Sequence, residues 1–268
     1  MKLYINSRPE ITHYGFSSRK VKKDMRLAVI ADLHNCMCED KGRRLFSVIK
    51  NTKPDVVVIA GDLIESVPGT DVSDTMEFLK LLAGSFYVIF GVGNHERKVL
   101  EDKRFFAQRG SLAKGLGESG LKLLSNKAKI FKEHNIKISC IDLPISYFAR
   151  FKHVPLGKKG VEDLMGPIDR DFYNILIAHD PSHFKSYSDY GSDLVLSGHV
   201  HGGVIRLPIL GGVVSPELSL FPEYDAGRFH RKDSVMLVSK GLGSHTIHVR
   251  VNDPPELMIV DIKKDKDE

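Results

Sequence analysis

The sequence is poor in cysteine, in long apolar runs and in excess charge of one sign, and each absence excludes a class of protein. Three cysteines among 268 residues are too few for a disulfide-stabilised scaffold. No apolar run approaches the roughly 18 to 20 residues of a membrane-spanning helix, and the first residues lack the apolar core of a secretory signal. We therefore expect a cytoplasmic chain without a transmembrane segment, for which peripheral membrane association stays open.

The charge and length narrow the expectation further. The 39 basic and 34 acidic side chains give a net charge of +5, and they are scattered along the chain. This distribution favours anionic small molecules as partners and counts against nucleic acid. A length of 268 residues without a linker rich in proline and serine predicts a single domain over residues 1–268, with its core at about 26–262.

Short apolar runs that end abruptly in polar residues dominate the pattern. The first half has such runs at 27–31, 56–60 and 87–90, with helix-like stretches at 42–50 and 73–83 between them. An unbroken apolar run of this length is typical of a strand that is buried on both faces. Further runs at 136–141, 174–178, 193–196, 234–238 and 257–262 continue the series. We expect an α/β fold of four layers, α-β-β-α, in which two mixed sheets face each other.

Residues that can bind metal ions recur at the ends of these predicted strands. They comprise two carboxylates, one amide and four imidazoles: Asp32, His34, Asp62, Asn94, His179, His199 and His201. An isolated Asp-x-His pair is more often a turn beside a surface histidine, so no single cluster decides the case. The repetition does, because open α/β sheets bind ligands at the carboxyl ends of their strands. A mixed oxygen and imidazole set without thiolate suits Mn, Fe or Zn, and two such ions can clamp a phosphoryl group.

These motifs resemble the signature of the calcineurin-like metallophosphoesterases. The blocks occur in that family's order: Asp32-x-His34, Gly61-Asp62, Gly93-Asn94-His95-Glu96, His179 and Gly198-His199-x-His201. The segments HDPSHF, LSGHVHGGVIRLP, SKGLG and PPELMIVDI resemble a bacterial phosphodiesterase subgroup that includes enzymes similar to UDP-diacylglucosamine pyrophosphohydrolases. Ala31 and Val200 stand where that subgroup usually has Ser and Thr, and neither difference removes a ligand.

The resemblance implies a role for each of these residues. One divalent ion would be held by Asp32, His34, Asp62 and His201. The other would be held by Asp62, Asn94, His179 and His199, so that Asp62 bridges the pair. Mn is the first expectation, and Fe, Zn and Ni also fit. A hydroxide between the metals would attack phosphorus in line, while His95 would donate a hydrogen bond or proton to the leaving oxygen or stabilise charge on the phosphoryl oxygens.

Three neighbouring residues have two interpretations each. Asn35 either contacts substrate or closes the turn after His34, and Arg97 either reaches a phosphate from the same loop or is an ordinary surface residue. Glu96 either orients His95 or a nearby backbone group, or is a plain surface carboxylate, which we expect more often. Loops at 33–43, 147–166 and 202–231 would form the rim that selects the substrate.

The function predicted from the sequence is a two-metal phosphodiesterase or pyrophosphohydrolase. Its substrate would be a phosphoester or pyrophosphate small molecule, with a nucleotide-linked or lipid-linked group among the open choices. A phosphomonoesterase or protein phosphatase is the alternative, because the ligands contact only the phosphoryl group that all these substrates share. A metal-free scaffold is disfavoured, since no ligand is missing, and a nuclease is disfavoured by the scattered charge.

Overall fold

Two six-stranded mixed sheets form the centre of the fold. The computed structural model describes residues 3–4, 8–37, 40–148, 154–203, 205–207, 211–214, 222–243 and 250–265. The strands are β1 (Leu3–Tyr4), β2 (Glu10–Ser18), β3 (Met25–Ile30), β4 (Val56–Ala60), β5 (Tyr87–Gly91), β6 (Leu123–Leu124), β7 (Lys127–Phe131), β8 (Ile136–Ile141), β9 (Tyr173–Ala178), β10 (Leu194–Ser197), β11 (Ile205–Leu207), β12 (Gly211–Val214), β13 (Gly227–Arg231), β14 (Ser234–Val238), β15 (Arg250–Val251) and β16 (Glu256–Lys264). The helices are α1 (Arg43–Asn51), α2 (Ser73–Ala83), α3 (Asn94–Glu101), α4 (Phe106–Ser119), α5 (Gly157–Met165) and α6 (Phe184–Tyr190).

Each of the two six-stranded sheets has parallel strands at its centre. The first sheet has the order β2-β16-β3-β4-β5-β6, in which β3 to β6 are parallel and β16 runs antiparallel to β3. The second sheet has the order β13-β14-β10-β9-β8-β7, with four parallel strands between two antiparallel edge strands. A short four-stranded sheet has the order β1-β15-β11-β12.

Three apolar clusters separate four layers. Between the sheets, the fully buried side chains of Val29, Val58, Ile175 and others form the central cluster. Helices α1, α2 and α4 cover the outer face of the first sheet, and α5 and α6 cover the outer face of the second. The predicted α-β-β-α arrangement of two facing mixed sheets is therefore confirmed. Within the residues described, no helix is both long and apolar enough to cross a membrane.

The buried central strands are the elements that the sequence predicts best. Strands β4, β8 and β14 and helix α2 have the bounds that the apolar pattern indicates. Strand β2 was not predicted, because its residues alternate between exposed and half-buried positions at a sheet edge. Helix α3 was also missed: its sequence NHERKVLE is mostly polar and buries only Glu96 and Val99. It begins at Asn94, so that residue lies at a helix N-terminus three residues after β5 ends.

The central cluster predicts a large difference between two isoleucines. Ile175 is fully buried between the sheets, whereas Ile130 on the edge strand β7 is 42% exposed. Ile175→Ala should lower the free energy of unfolding by about 2 to 5 kcal/mol, because it removes buried methylenes and leaves a cavity. Ile130→Ala should cost less than half as much. Urea unfolding of both variants measures the difference, and equal losses would contradict the assignment of the core.

Candidate active site

Six of the seven predicted ligands converge where the carboxyl ends of the two parallel strand sets meet, and the seventh, Asn94, begins helix α3 directly before His95. Asp32 and Asp62 follow β3 and β4 of the first sheet, while His179 follows β9 of the second sheet. Three groups of side chains have ligand atoms within 4.8 Å of one another, and one of them, His34, Asp62 and His95, overlaps the other two. The first group, here called the first cluster, is Asp32, His34 and His201; the second cluster is Asp62, His179 and His199.

The first cluster is tightly drawn together. His34 Nε2 lies 3.0 Å from His201 Nε2, and Asp32 Oδ1 lies 3.5 Å from His201 Nε2 and 3.9 Å from His34 Nε2. Two nitrogens that bind one ion at about 2.1 Å each can be no more than about 4.2 Å apart. The imidazole pair therefore satisfies the distance that a shared metal ion requires.

Asp62 belongs to the second cluster and also faces the first. Its Oδ2 is 2.9 Å from His179 Nε2 in the second cluster and 3.9 Å from His34 Nε2 in the first. Asp32 Oδ1 is in turn 3.7 Å from His179 Nε2. Both carboxylates thus lie within 3.9 Å of a histidine nitrogen in the other cluster, and the bridging position of Asp62 stays a prediction.

The orientation of His179 is fixed by the backbone. Its Nδ1 lies 2.8 Å from the carbonyl oxygen of Ala60, so the Nδ1–H group donates there and Nε2 faces the clusters. Burial alone would lower the pKa of His179, but the adjacent carboxylates of Asp62 and Asp32 outweigh burial and raise this pKa to about 10. A cation is therefore strongly favoured at this place between the carboxylates, and a divalent metal ion would supply it in place of the proton.

Buried oxygens without partners indicate the same kind of ligand. Asp32 and Asp62 are 0% and 1% exposed, and burial raises the pKa of Asp32 to about 6. Asp32 Oδ2 and Asn94 Oδ1 are buried and accept no hydrogen bond from the residues described. Leaving such oxygens unsatisfied is costly. Because the donor set is carboxylate, amide oxygen and imidazole, it fits divalent metal ions of the Mn, Fe and Zn type.

The backbone at these residues is strained. Asp32, His34, Asp62, His199 and His201 all have left-handed backbone angles, with φ values from 48° to 73°. Residues other than glycine adopt this conformation infrequently, and such strain gathers at functional sites where the surroundings enforce it.

Glu96 is a structural part of the site, and the preferred interpretation of a surface carboxylate is wrong. The side chain is fully buried and accepts hydrogen bonds from the backbone N–H groups of Asp62 (2.8 Å), Gly93 (2.9 Å) and Ile64 (3.1 Å). Burial, reinforced by nearby Asp62, raises the pKa of Glu96 to about 7. The sequence carried a signal: a glutamate three residues after a helix N-cap is a capping position, but helix α3 was not recognised.

His95 presents one nitrogen to the clusters. The backbone N–H of Ser66 donates to His95 Nδ1 at 2.8 Å, so a neutral ring carries its proton on Nε2. This Nε2 lies 4.0 Å from Asp62 Oδ2. Burial lowers the pKa of His95, which favours the neutral ring with an Nε2–H group facing the site.

The two residues predicted to contact substrate have protein partners. The Asn35 Oδ1 atom accepts a hydrogen bond from the Thr75 hydroxyl at 3.0 Å, and the Arg97 guanidinium lies 3.2 Å from Asp142 Oδ2 and 2.9 Å from Glu101 Oε1. The Asn35 contact anchors its loop to helix α2, and Arg97 forms ion pairs within the protein. A contact of either residue with substrate stays a prediction.

The expected rim is described in part. The Phe148 ring lies 5.5 Å from the His199 ring, centroid to centroid, so the stretch at 145–148 borders the second cluster. In the loop at 202–231, Tyr224 packs on Phe184 of α6, while residues 204, 208–210 and 215–221 lie outside the described residues. Residues 38–39 and 149–153 of the other two rim loops also lie outside them.

Comparison with known proteins gives the family. The family model for calcineurin-like phosphoesterases matches residues 25–203. The uncharacterized protein YpbG of Bacillus subtilis (strain 168) is 26% identical over 255 residues, which cover 93% of this chain and 85% of that protein. Phosphodiesterase YaeI of Escherichia coli (strain K12) is 24% identical over 210 residues, which cover 78% of this chain and 71% of YaeI.

A solved structure agrees on the fold. The crystal structure of TT1561 of Thermus thermophilus superposes with a TM-score of 0.51 at 11% identity, covering 81% of this chain and 89% of TT1561. The stretch matched by the family model is more than half of the chain, and it contains both clusters and Asn94. This chain therefore belongs to the calcineurin-like phosphoesterases.

Proposed function

We propose that this chain is a two-metal phosphodiesterase or pyrophosphohydrolase that acts on a small phosphoester. The observation that carries the proposal is the pair of ligand clusters, because Asp62 Oδ2 lies 2.9 Å from His179 Nε2 in one and 3.9 Å from His34 Nε2 in the other. The phosphodiesterase assignment is further supported by the similarity to YaeI, which is named a phosphodiesterase. A phosphomonoesterase or protein phosphatase would need the same clusters, so the choice of substrate has to be measured.

The residues divide into two ligand sets. Asp32, His34 and His201 would hold one ion, and Asn94, His179 and His199 would hold the other, with Asp62 contacting both. Mn is the proposed native metal, because the set is rich in oxygen and imidazole and lacks thiolate. When bound, the two ions lower the pKa of a water nucleophile and neutralise charge on the phosphoryl oxygens.

His95 would act on the leaving group of the substrate. Its Nδ1 accepts from Ser66, so the proton on Nε2 is the one that faces the clusters. This proton can be donated to a leaving oxygen, or can stabilise charge on a phosphoryl oxygen. The backbone N–H of the same residue donates to Asp62 Oδ1 at 2.8 Å, so the first turn of α3 also orients the central carboxylate.

Loss of Asp62 tests the proposal most broadly. With added Mn, the wild type should hydrolyse bis-p-nitrophenyl phosphate faster than p-nitrophenyl phosphate, and a chelator should abolish both activities. Asp62→Ala should fall to the level of the chelated enzyme, because both ions lose a ligand. Steady-state rates and the metal content of both proteins measure this.

Other outcomes of that assay would redirect the proposal. A faster reaction with the monoester would favour the phosphatase alternative. Absence of hydrolysis with two bound ions would mean that the rim rejects both small esters, so that larger diesters and pyrophosphates would be the next substrates. Absence of both hydrolysis and bound metal would overturn the proposal.

Replacement of His95 should separate chemistry from metal binding. His95→Asn should lower kcat by about 10²- to 10⁴-fold, the usual contribution of a general acid, while the protein still binds two Mn ions per chain. His134→Asn is the matched control, because His134 is half-buried beyond the edge strand β7, where its Nδ1 lies 3.1 Å from the Lys23 carbonyl oxygen and its ring packs against Phe131. Loss of metal in His95→Asn would instead assign His95 a ligand role.

Replacement of Glu96 should weaken the support of Asp62. A glutamine at this position has one acceptor oxygen and an NH₂ group that cannot accept, whereas the carboxylate accepts three backbone N–H groups. Glu96→Gln should therefore lower Tm and reduce kcat, measured by thermal unfolding and the diester assay. Glu101→Gln on the same helix should leave both close to wild type, and equal effects of the two substitutions would contradict this account.

A further inference from the structure

A buried ion pair lies beyond the stretch that the family model matches. Arg250 Nη1 is 3.0 Å from Asp253 Oδ2, and the two residues are 4% and 0% exposed. A buried arginine and aspartate are expensive to desolvate and need further hydrogen bonds to offset that cost. The partners of this pair therefore indicate what the pair holds in place.

The guanidinium group of Arg250 joins the two ends of the segment at 240–243. Its Nη1 donates to the carbonyl oxygen of Lys240 at 2.7 Å, and its Nη2 donates to the carbonyl oxygen of Gly243. The buried carboxylate of Glu256 accepts from the N–H of Lys240 at 2.9 Å. Two carbonyls and one N–H of the segment at 240–243 are thus hydrogen-bonded to buried side chains.

This segment lies directly against the backbone of Asp32. The N–H of Gly243 donates to the Asp32 carbonyl at 2.7 Å, and the N–H of Leu242 donates to the Ala31 carbonyl at 3.0 Å. A Cβ atom added to Gly241 would lie 2.8 Å from Asp32 Cβ, so the two segments are in contact without room for a side chain. The contact matters because Asp32 has a strained φ of 52° that its surroundings must maintain.

Asp253 contacts the other side of the first cluster. A Cβ atom added to Gly202 would collide with the Asp253 carboxylate, and Gly202 directly follows His201. The ion pair therefore touches both the segment that supports Asp32 and the segment that carries His201. These are two of the three members of the first cluster.

We propose that Arg250 and Asp253 are positioning residues that hold the first cluster in its metal-binding geometry. The inference rests on the proposed two-metal function and extends it to a segment after residue 203. The planar guanidinium is required, because its two terminal NH₂ groups together reach two carbonyls and a carboxylate at once. A lysine would keep the charge next to Asp253 and lose this reach.

The test substitution is Arg250→Lys, measured by Mn binding. Equilibrium dialysis at defined free Mn should give two ions per wild-type chain, with an electron paramagnetic resonance spectrum of a coupled pair. In Arg250→Lys, one ion should bind about 10- to 100-fold more weakly, the usual effect of losing a residue that orients a metal ligand, and the coupled spectrum should be replaced by that of a single ion. His201→Ala provides the reference for loss of the first ion.

Arg26→Lys is the matched control. Arg26 also forms a bidentate ion pair with an aspartate, because its Nε and Nη2 lie 2.7 and 3.0 Å from the Asp261 oxygens. Its Nη1 also donates to the carbonyl oxygen of Thr52 at 3.1 Å. It lies near the start of β3, at the opposite end of that strand from Asp32. Arg26→Lys should change Tm without changing the affinity for either ion.

The outcomes separate the two proposals. A wild type that does not bind two ions would overturn the proposed function itself. A wild type that binds two ions, with Arg250→Lys binding both at unchanged affinity, would overturn the positioning role alone. If Arg250→Lys does not fold by circular dichroism, Asp253→Asn decides, since it keeps the side-chain volume: weaker binding of one ion supports the role, and unchanged binding of both overturns it.

Discussion

The carboxylates of Asp32 and Asp62 are buried side by side at the place where the two sheets meet, and most features of the site compensate for that burial. Two ionised carboxylates without a cation would be strongly destabilising there. The imidazole of His179 lies within 3.7 Å of an oxygen of each. The backbone N–H groups of His95 and His199 donate to the Oδ1 atoms of Asp62 and Asp32 at 2.8 and 2.9 Å, respectively. A divalent ion in each cluster would complete the compensation.

The fold positions these groups by ending its parallel strands at one edge. Five of the predicted ligand residues have left-handed backbone angles, which is a strained conformation. Residues outside the predicted ligand set hydrogen-bond to this backbone or to the segment beside it. Glu96 binds the backbone on the Asp62 side, and Arg250 holds the segment that supports Asp32. In this account, two buried side chains from separate parts of the chain support the proposed metal centre, and the proposed chemistry depends on both.

Much of the fold follows from local sequence, and less of the site does. The run at 56–60 predicts β4 because a strand buried on both faces has no polar interruption. Helix α3 was missed because its sequence has almost no apolar periodicity, and the role of Glu96 was missed with it. The role of Arg250 depends on contacts between segments about 200 residues apart, such as Gly243 with Asp32. No local pattern encodes such a contact, whereas histidines and carboxylates at strand ends can be recognised because they recur.

The most direct measurement is anomalous diffraction from crystals of the protein grown with Mn, recorded on both sides of the Mn absorption edge. The account predicts two peaks roughly 3.5 to 4 Å apart, one beside Asp32, His34 and His201 and the other beside Asn94, His179 and His199, with Asp62 contacting both. A single peak, or two peaks that do not share Asp62, would contradict the central claim that these residues form one two-metal centre.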